Sequence, residues 1–418
     1  MSDDIEVEVN TQLISSTGVF RVNVLRSESQ WDALEPEWND LLSRCRRASF
    51  FCTFEWLRPW WRHHRTEDDS LHLITVREAG RLMGIAPMFR RQTRILGVLV
   101  LDQVMFIGDG SGDSEYLDIV TDDTATDAVL DHILARLASD ESGWQVARFS
   151  LMNRESPTVA ALRRMARSRE LSLSSQLFSC LRVPLADSWD VYLKAVGKRQ
   201  RRTIRSGLRW LSTNDTATVE ICKDDVELSE RLESLFALHE ARWTGAGQRG
   251  AFSDSRRRDF YRDLASELLK SRRLRLYSLR YEGSLVAHEF DFEHAAILYC
   301  LQMGFDSSLR DMSVGTVLRS YVLRDCVERG IRGYDFLAGD DAYKKRWKPS
   351  EIPCLHITVW RKGWRSACYL HGLRVLSETR RFLRDRSPRA ALTIKRRVVE
   401  KLREIRLRRQ ERTSDRFE

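Results

Sequence analysis

The chain has 418 residues, of which 42% are hydrophobic and 31% charged, a composition for a globular protein of two or three domains. No stretch approaches about 18 uninterrupted apolar residues, and the eight cysteines are scattered from Cys45 to Cys368 with no C-x-x-C pair, which excludes a membrane span, a zinc site and a disulfide framework. The net charge of +9 is a property of the C-terminus: residues 371–418 hold 16 Lys and Arg against 7 Asp and Glu, so the body is nearly neutral and its charge does not make it a nucleic-acid binder. The acidic start, MSDDIEVEVN, has no apolar core of a secretory signal, and the free thiols fit a reducing cytoplasm.

The predicted elements begin with an amphipathic helix carrying Trp31, Leu34, Trp38 and Leu41, followed by Phe54, Leu57 and Trp61 on a second helical face. A hairpin follows over Leu71–Phe89, turning at Gly80. Strands are expected at Val104–Ile107 and Tyr116–Val120, a helix at Ala128–Leu137 and a strand at Trp144–Leu151. A basic helix over Lys194–Arg209 then carries seven cations and no acid. It reads as a linker helix or as a surface for an anionic substrate; RNA is disfavoured by sparse aromatic interleaving. The next helix places Leu228, Leu232, Leu235, Phe236, His239 and Trp243 together, ahead of a hairpin over Leu274–Phe292. A strand (297–303), a helix (316–328) and a strand (332–337) complete the body. Tail residues Leu392, Ile394, Val398, Val399, Leu402 and Ile405 form an apolar stripe among arginines, which reads as a solvated helix or as a peripheral contact with anionic membrane.

The two hairpins match at an offset of 203 residues. Leu71, Leu73, Arg77, Gly80, Leu82 and Phe89 pair with Leu274, Leu276, Arg280, Gly283, Leu285 and Phe292. The flanking order also repeats: helix, hairpin, strand, helix, strand. The expected organisation is an N-terminal extension (1–19), a first α/β domain (20–183), a second (184–369) and a basic helical tail (370–418).

The run Leu301–Trp347 carries most of the chemistry. A strand ends at Gly304, and Ser313-Val314-Gly315-Thr316 opens a helix whose free amides and positive dipole end suit a phosphate. Ser313 is expected to cap it, and Gly315 to let the backbone approach the anion. The corresponding turn of the first copy, Thr121-Asp122-Asp123-Thr124-Ala125-Thr126-Asp127, carries carboxylates that repel a pyrophosphate. The second copy is therefore the expected carrier-binding half, and the first a scaffold or acceptor side.

The pieces GFD (304–306), SVG (313–315), YDFLAG (334–339) and YKKRW (343–347), with LHEARW (238–243), GAF (250–252) and the basic run 198–211 upstream, resemble GNAT-type acyltransferases. More narrowly, they resemble the branch of cellulose-biosynthesis acetyltransferases of the CelD type and the Fem-type peptidyltransferases. The resemblance covers roughly residues 190–350. It implies two tandem GNAT folds with mixed, mostly antiparallel sheets, acetyl-CoA or another acyl-CoA as donor, no metal, and transfer to an amine or hydroxyl of a polar or saccharide acceptor in polysaccharide or cell-envelope biosynthesis. The expected location is the cytoplasm, at the inner face of the membrane if the tail binds there. The S-x-G turn is shorter than the Gly-rich turn of many acetyl-CoA enzymes. The alternatives are an aminoacyl-tRNA-dependent Fem-type ligase and a non-catalytic scaffold at a membrane surface.

Such a transfer needs a base for the nucleophile and donors for the oxyanion. Candidate catalytic residues are Asp335, Glu289, His288, Tyr343 and Lys344. Asp335 lies in an apolar strand where burial raises a carboxyl pKa, unless it pairs with Lys344 or an arginine. His288 and Glu289 alternate on one strand, so only one faces the cleft. Tyr343 is placed to protonate the leaving thiolate, and Lys344 to hold a phosphate or carboxylate. Ser313, Val314, Gly315 and Thr316 are the expected carrier-binding residues. Tyr299, Gln302, Asp306 and Trp347 are the candidates around the acceptor, with strand packing the alternative for Tyr299 and Gln302 and a core position for Trp347.

Overall fold

The computed structural model describes residues 11–15, 18–95, 99–139, 143–245, 250–339 and 341–372. The basic tail beyond 372, with its expected membrane contact, lies outside the described residues, as do residues 1–10 of the N-terminal extension and Asp340. The described residues up to Thr93 and from Asp102 to Trp360 form one compact unit, and those of 94–101 and 361–372 belong to another. The described part of the second unit consists of strand ends around residues 94–101 and a helix that begins at Trp364.

The first half runs β1 (Thr11–Ser15), β2 (Gly18–Leu25), α1 (Glu28–Asp32), α2 (Glu35–Ser43), α3 (Phe54–His64), β3 (Asp69–Leu71), β4 (Leu73–Glu78), β5 (Arg81–Ala86), β6 (Met88–Ile95), β7 (Leu99–Phe106), β8 (Val120–Thr121), α4 (Thr126–Ala138), β9 (Val146–Asn153), α5 (Pro157–Ser168) and β10 (Ser172–Pro184). The second runs α6 (Trp189–Ala195), α7 (Lys198–Thr213), β11 (Ala217–Ile221), α8 (Asp225–Gly245), α9 (Ser255–Lys270), β12 (Leu274–Tyr281), β13 (Ser284–His294), β14 (Ile297–Phe305), α10 (Val314–Glu328), β15 (Gly333–Ala338), α11 (Ala342–Lys345) and β16 (Ser350–Trp360). Local sequence sets these bounds. Ser27 closes a capping box with Gln30 at α1, and Thr53 caps α3 through the amide of Trp56. The basic run expected as one helix over 194–209 is two, because the chain breaks at Val196-Gly197 and Gly197 is the N-cap of α7.

Both repeated hairpins form. Each turns on two residues of positive φ, Ala79-Gly80 (+48°, +85°) and Glu282-Gly283 (+48°, +78°), the twist that joins antiparallel strands tightly. In the second half the sheet runs β11-β12-β13-β14-β15, with β14 and β15 parallel. In the first half the matching parallel pair is β7 and β9. The centre is an exchange. β10, at the end of the first half, pairs with β15 of the second; β16, at the end of the second, pairs with β9 of the first; β10 and β16 pair antiparallel with each other from Ser172↔Trp360 to Arg182↔Ser350. The result is one eleven-stranded sheet, β11-β12-β13-β14-β15-β10-β16-β9-β7-β6-β3, beside a five-stranded sheet, β1-β2-β4-β5-β8.

Aromatic packing joins the halves in the same region. Phe50 and Phe51 meet Phe292 at 4.4 and 5.9 Å between ring centroids, and Phe51 meets Tyr299 edge-on at 6.2 Å.

One expected strand is absent. Residues 116–119 are irregular, and β8 is only Val120–Thr121. The cause is the segment Gly108-Asp-Gly-Ser-Gly-Asp-Ser-Glu-Tyr116, where Gly108, Gly110, Gly112 and Tyr116 all take positive φ. A strand cannot continue through those conformations.

Candidate active site

β14 and β15 pair only from Ile297↔Gly333 to Tyr299↔Asp335. Beyond Tyr299 they diverge, for two visible reasons. β14 carries a bulge against β13, where Phe290 faces Gln302 but Asp291 faces Cys300. β15 kinks at Leu337, which has φ +60°, and Asp335 holds the kink by accepting the Leu337 amide at 2.7 Å. The opened strands leave backbone groups of β14 without a β15 partner.

Two clefts meet at this opening. The first, of about 630 Å³, runs from the N-terminus of α10 to α11 and is lined by Arg242, Arg310, Arg319 and Arg346, with Gln200, Met303, Phe305, Ser313–Thr316, Tyr343 and Trp347. It holds four guanidinium groups and no carboxylate. Thr316 and Val317 both donate to the Ser313 carbonyl, which leaves the Val314 and Gly315 amides as the free donors of the first turn. The second cleft, of about 270 Å³, is lined by Gly112, Asp113 and Glu115 of the first half, and by His239, Trp243, Cys300–Met303, Phe336–Ala338, Asp341 and Lys344 of the second. Arg242, Met303, Arg319 and Tyr343 line both.

The junction is rigidly built. Arg319 is buried, donates to Glu289 at 2.7 Å, and lies 4.9 Å from the Phe336 ring and 5.7 Å from the Tyr343 ring. Burial also pushes the Tyr343 hydroxyl up, keeping it protonated. Lys344 is pinned to the end of β15 by bonds to the carbonyls of Phe336 (3.1 Å) and Ala338 (2.6 Å). It thus shapes the wall of the second cleft.

In the second cleft, Asp113 is ion-paired: its Oδ1 accepts from Arg257 and from Tyr261 at 2.9 Å, while its Oδ2 has no hydrogen-bond partner. Glu115 differs in having no ion-pair partner among the described residues. It is buried, its Oε2 has no hydrogen-bond partner, and burial, then Cys180, Asp113 and Asp335, pushes its carboxyl well above the usual range. His239 accepts from Trp243 Nε1 at 3.0 Å, and burial lowers its pKa to about 4, so it is neutral near pH 7.

The structure gathers Ser313, Val314, Gly315 and Thr316, the residues expected to bind the carrier, with Tyr343 and Trp347 at the first cleft, and Gln302, Tyr343 and Lys344 at the second. One local expectation needs correction. Ser313 does not cap α10: it sits in the left-handed region (φ +53°), and its hydroxyl turns back to Arg310. At Gly315 an added Cβ would lie 3.0 Å from Phe305 and 3.1 Å from Met303, a tight contact that both side chains would have to yield to. Trp347 is 3% exposed, so it anchors the loop while lining the first cleft.

Five candidates line neither cleft. Asp335 is fully buried, paired with Arg182 at 2.8 Å and bonded by Tyr116 at 3.1 Å; burial raises its pKa while Arg182 opposes the shift. Glu289 is taken by Arg319 and Tyr334. Tyr299 stacks on Phe292 with ring centroids 5.0 Å apart. Asp306 caps the turn at Ser308 through that residue's amide and hydroxyl. Glu289, Asp291 and Cys300 bring their ligand-type atoms within 4.8 Å of one another, but Arg319 bonds Glu289 and touches Cys300, a charge that opposes a cation there.

His288 is the fifth, held between Ser278 and Ser234 at 2.8 Å each, with burial lowering its pKa to about 3. The unfolded histidine titrates near 6.5, so below that pH the unfolded chain binds a proton that the folded chain refuses. The contribution of His288 is complete above about pH 6.5 and is lost toward pH 3, by up to about 1.4 kcal/mol per pH unit. Urea unfolding at pH 7, 6 and 5 should show the stability gap between wild type and His288→Gln moving against the wild type by that slope as the pH falls.

The α4 turn of the first half is filled from within. Asp122 accepts from the Thr124 amide and hydroxyl (2.9 and 2.6 Å) and pairs with Arg44, and Asp123 pairs with Arg47 at 3.0 Å. The neighbouring void is only about 10 Å³.

Residues 198–345 match the family model described as acetyltransferase (GNAT) domain. The second half has the GNAT fold. A structure of FemX aligns with a TM-score of 0.53 at 13% identity, over 77% of this chain and 95% of that one. A conserved protein of unknown function from Bacteroides thetaiotaomicron aligns with a TM-score of 0.50 at 14% identity, over 78% and 97%. No curated protein matches the chain. The first half repeats the order of elements of the second, with its α4 turn closed where the α10 turn of the second is open.

Proposed function

We propose that the protein is an acyltransferase that moves an acyl group from acyl-CoA to an amine or hydroxyl of a polar acceptor. One observation carries this reading: an arginine-lined cleft at a helix N-terminus joins a carboxylate-bearing cleft where β14 and β15 part. The first suits a pyrophosphate and its tether, which need cations and free amides. The second suits a polar nucleophile beside a base. A role in polysaccharide or cell-envelope synthesis rests on the sequence resemblance.

In this reading the thioester lies at the junction, with its carbonyl toward the open edge of β14. Glu115 takes the proton from the attacking N–H or O–H as the new bond to the acyl carbon forms. Backbone amides of β14 stabilise the oxyanion. The C–S bond then breaks, and Tyr343, which lines both clefts, protonates the departing thiolate. The first half thus supplies the base and the second half the donor site.

The test is calorimetric titration with acetyl-CoA, followed by turnover with a panel of amines, amino sugars and polyols. Saturable binding and release of free thiol with at least one acceptor are expected. Absence of acyl-CoA binding, together with transfer from aminoacyl-tRNA, would replace this reading with a Fem-type one.

A further inference from the structure

A second groove lies on the outer side of the α10 N-terminus, between α7 and α10. It measures about 400 Å³ and shares Ser313 and Thr316 with the arginine-lined cleft, so the two are continuous around the first turn of α10. Its α7 wall is Arg202, Thr203, Ser206 and Trp210, and Asp311 stands on the opposite rim. At Gly207 the two helices approach closely: an added Cβ there would lie 3.1 Å from Val317, a tight contact.

The charge of α7 is unbalanced. Lys198, Arg202, Arg205 and Arg209 recur at helical spacing along one face, all exposed, over about 16 Å. None makes an ion pair among the described residues, whereas most arginines on α8, α9 and α10 do, such as Arg231, Arg257, Arg262, Arg319 and Arg324. An unpaired cation beside an indole and two hydroxyls fits a phosphorylated nucleoside: the ring offers a stacking face, and the guanidinium binds phosphate oxygens. The Asp311 carboxylate repels phosphate but accepts from an exocyclic amino group.

We propose that this groove holds the nucleotide end of the acyl donor, with Arg202 on its phosphate and Trp210 against its base. This rests on the acyl-CoA reading above. It adds that α7, which precedes the first strand of the second half, is part of the donor site.

The experiment compares acetyl-CoA, 3′-dephospho-acetyl-CoA and S-acetyl-4′-phosphopantetheine on the full chain, as wild type and as Arg202→Ala, by calorimetry. Wild type should bind acetyl-CoA at least about tenfold more tightly than the nucleoside-free thioester. Arg202→Ala should erase most of that gap and leave the fragment's affinity unchanged. Because Arg202 is exposed and unpaired, the variant should fold; Trp210→Phe, which keeps an aromatic face, should lose less than Trp210→Ala. Equal wild-type affinity for all three thioesters, or acetyl-CoA binding untouched by Arg202→Ala, overturns the groove assignment while leaving the donor cleft intact. Loss of RNA-hairpin binding in Arg202→Ala with acetyl-CoA binding unaltered also overturns it, in favour of an RNA surface. Failure of wild type to bind any thioester removes the donor reading itself.

Discussion

Glu115→Gln is expected to lower kcat for acyl transfer by about 10²- to 10⁴-fold, the usual contribution of a general base. The donor dissociation constant should not change, because Glu115 lies in the second cleft and not the first. Stability should not fall either: the variant removes a buried carboxyl that has one unpartnered oxygen and no ion-pair partner. The pH profile gives an independent check. A protonated Glu115 has no electron pair for the nucleophile's proton, so activity is lost as pH falls through its pKa. Burial has raised that pKa, so the acid limb of wild-type kcat/KM should lie well above the range of an ordinary glutamate near 4.3. The residual activity of Glu115→Gln should lack this limb. A variant within about threefold of wild type, with the same profile, would exclude Glu115 as the base.

Asp335→Ala should instead fail through folding. It leaves Arg182 without its partner and deprives the Leu337 amide and the Tyr116 hydroxyl of an acceptor. Breaking such a pair costs about 3–5 kcal/mol, a large share of the stability of a natural protein. Denaturant unfolding should show the midpoint shift. The double variant Arg182→Met with Asp335→Leu should recover the ionic part of the loss, because no orphan charge remains. It should not recover the part due to the Leu337 kink. A fully stable Asp335→Ala with kcat reduced a thousandfold would return Asp335 to the chemistry.

The contrast between these carboxylates shows what the sequence carries. Hairpins, helices and the duplicated order were legible, because turn glycines at 80 and 283 and helical spacing of Trp31, Trp38, Leu232 and Leu235 are local signals. The exchange of β10 and β16 was not, since the partner of a strand is a tertiary fact. The S-x-G turn, Gln302, Tyr343 and Lys344 reached the clefts because they follow strand ends or open a helix. Asp335, Glu289 and His288 have the right chemistry, but burial and existing partners occupy them, and a one-dimensional pattern does not display partners. Glu115 and Asp113 went unnoticed for the reverse reason. They sit between the expected strands Val104–Ile107 and Tyr116–Val120, in a run whose three glycines and three acids from Gly108 to Glu115 mark a loop, and a loop's sequence does not show which cleft it enters. Arg319 and Arg242 were hidden as ordinary helix arginines.

The reciprocal pairing of β10 and β16 has a further consequence for how such a chain evolves. After duplication, a copy that no longer binds a ligand is normally free to decay or be deleted. Here the first half provides, among the described residues, the β9 neighbour on one side of β16 and sends Glu115 into the cleft lined by the second half. Its deletion would expose a bare strand edge and empty the base position together. The two halves are therefore expected to be inherited together, because an exchange of either half alone would cut through the shared sheet.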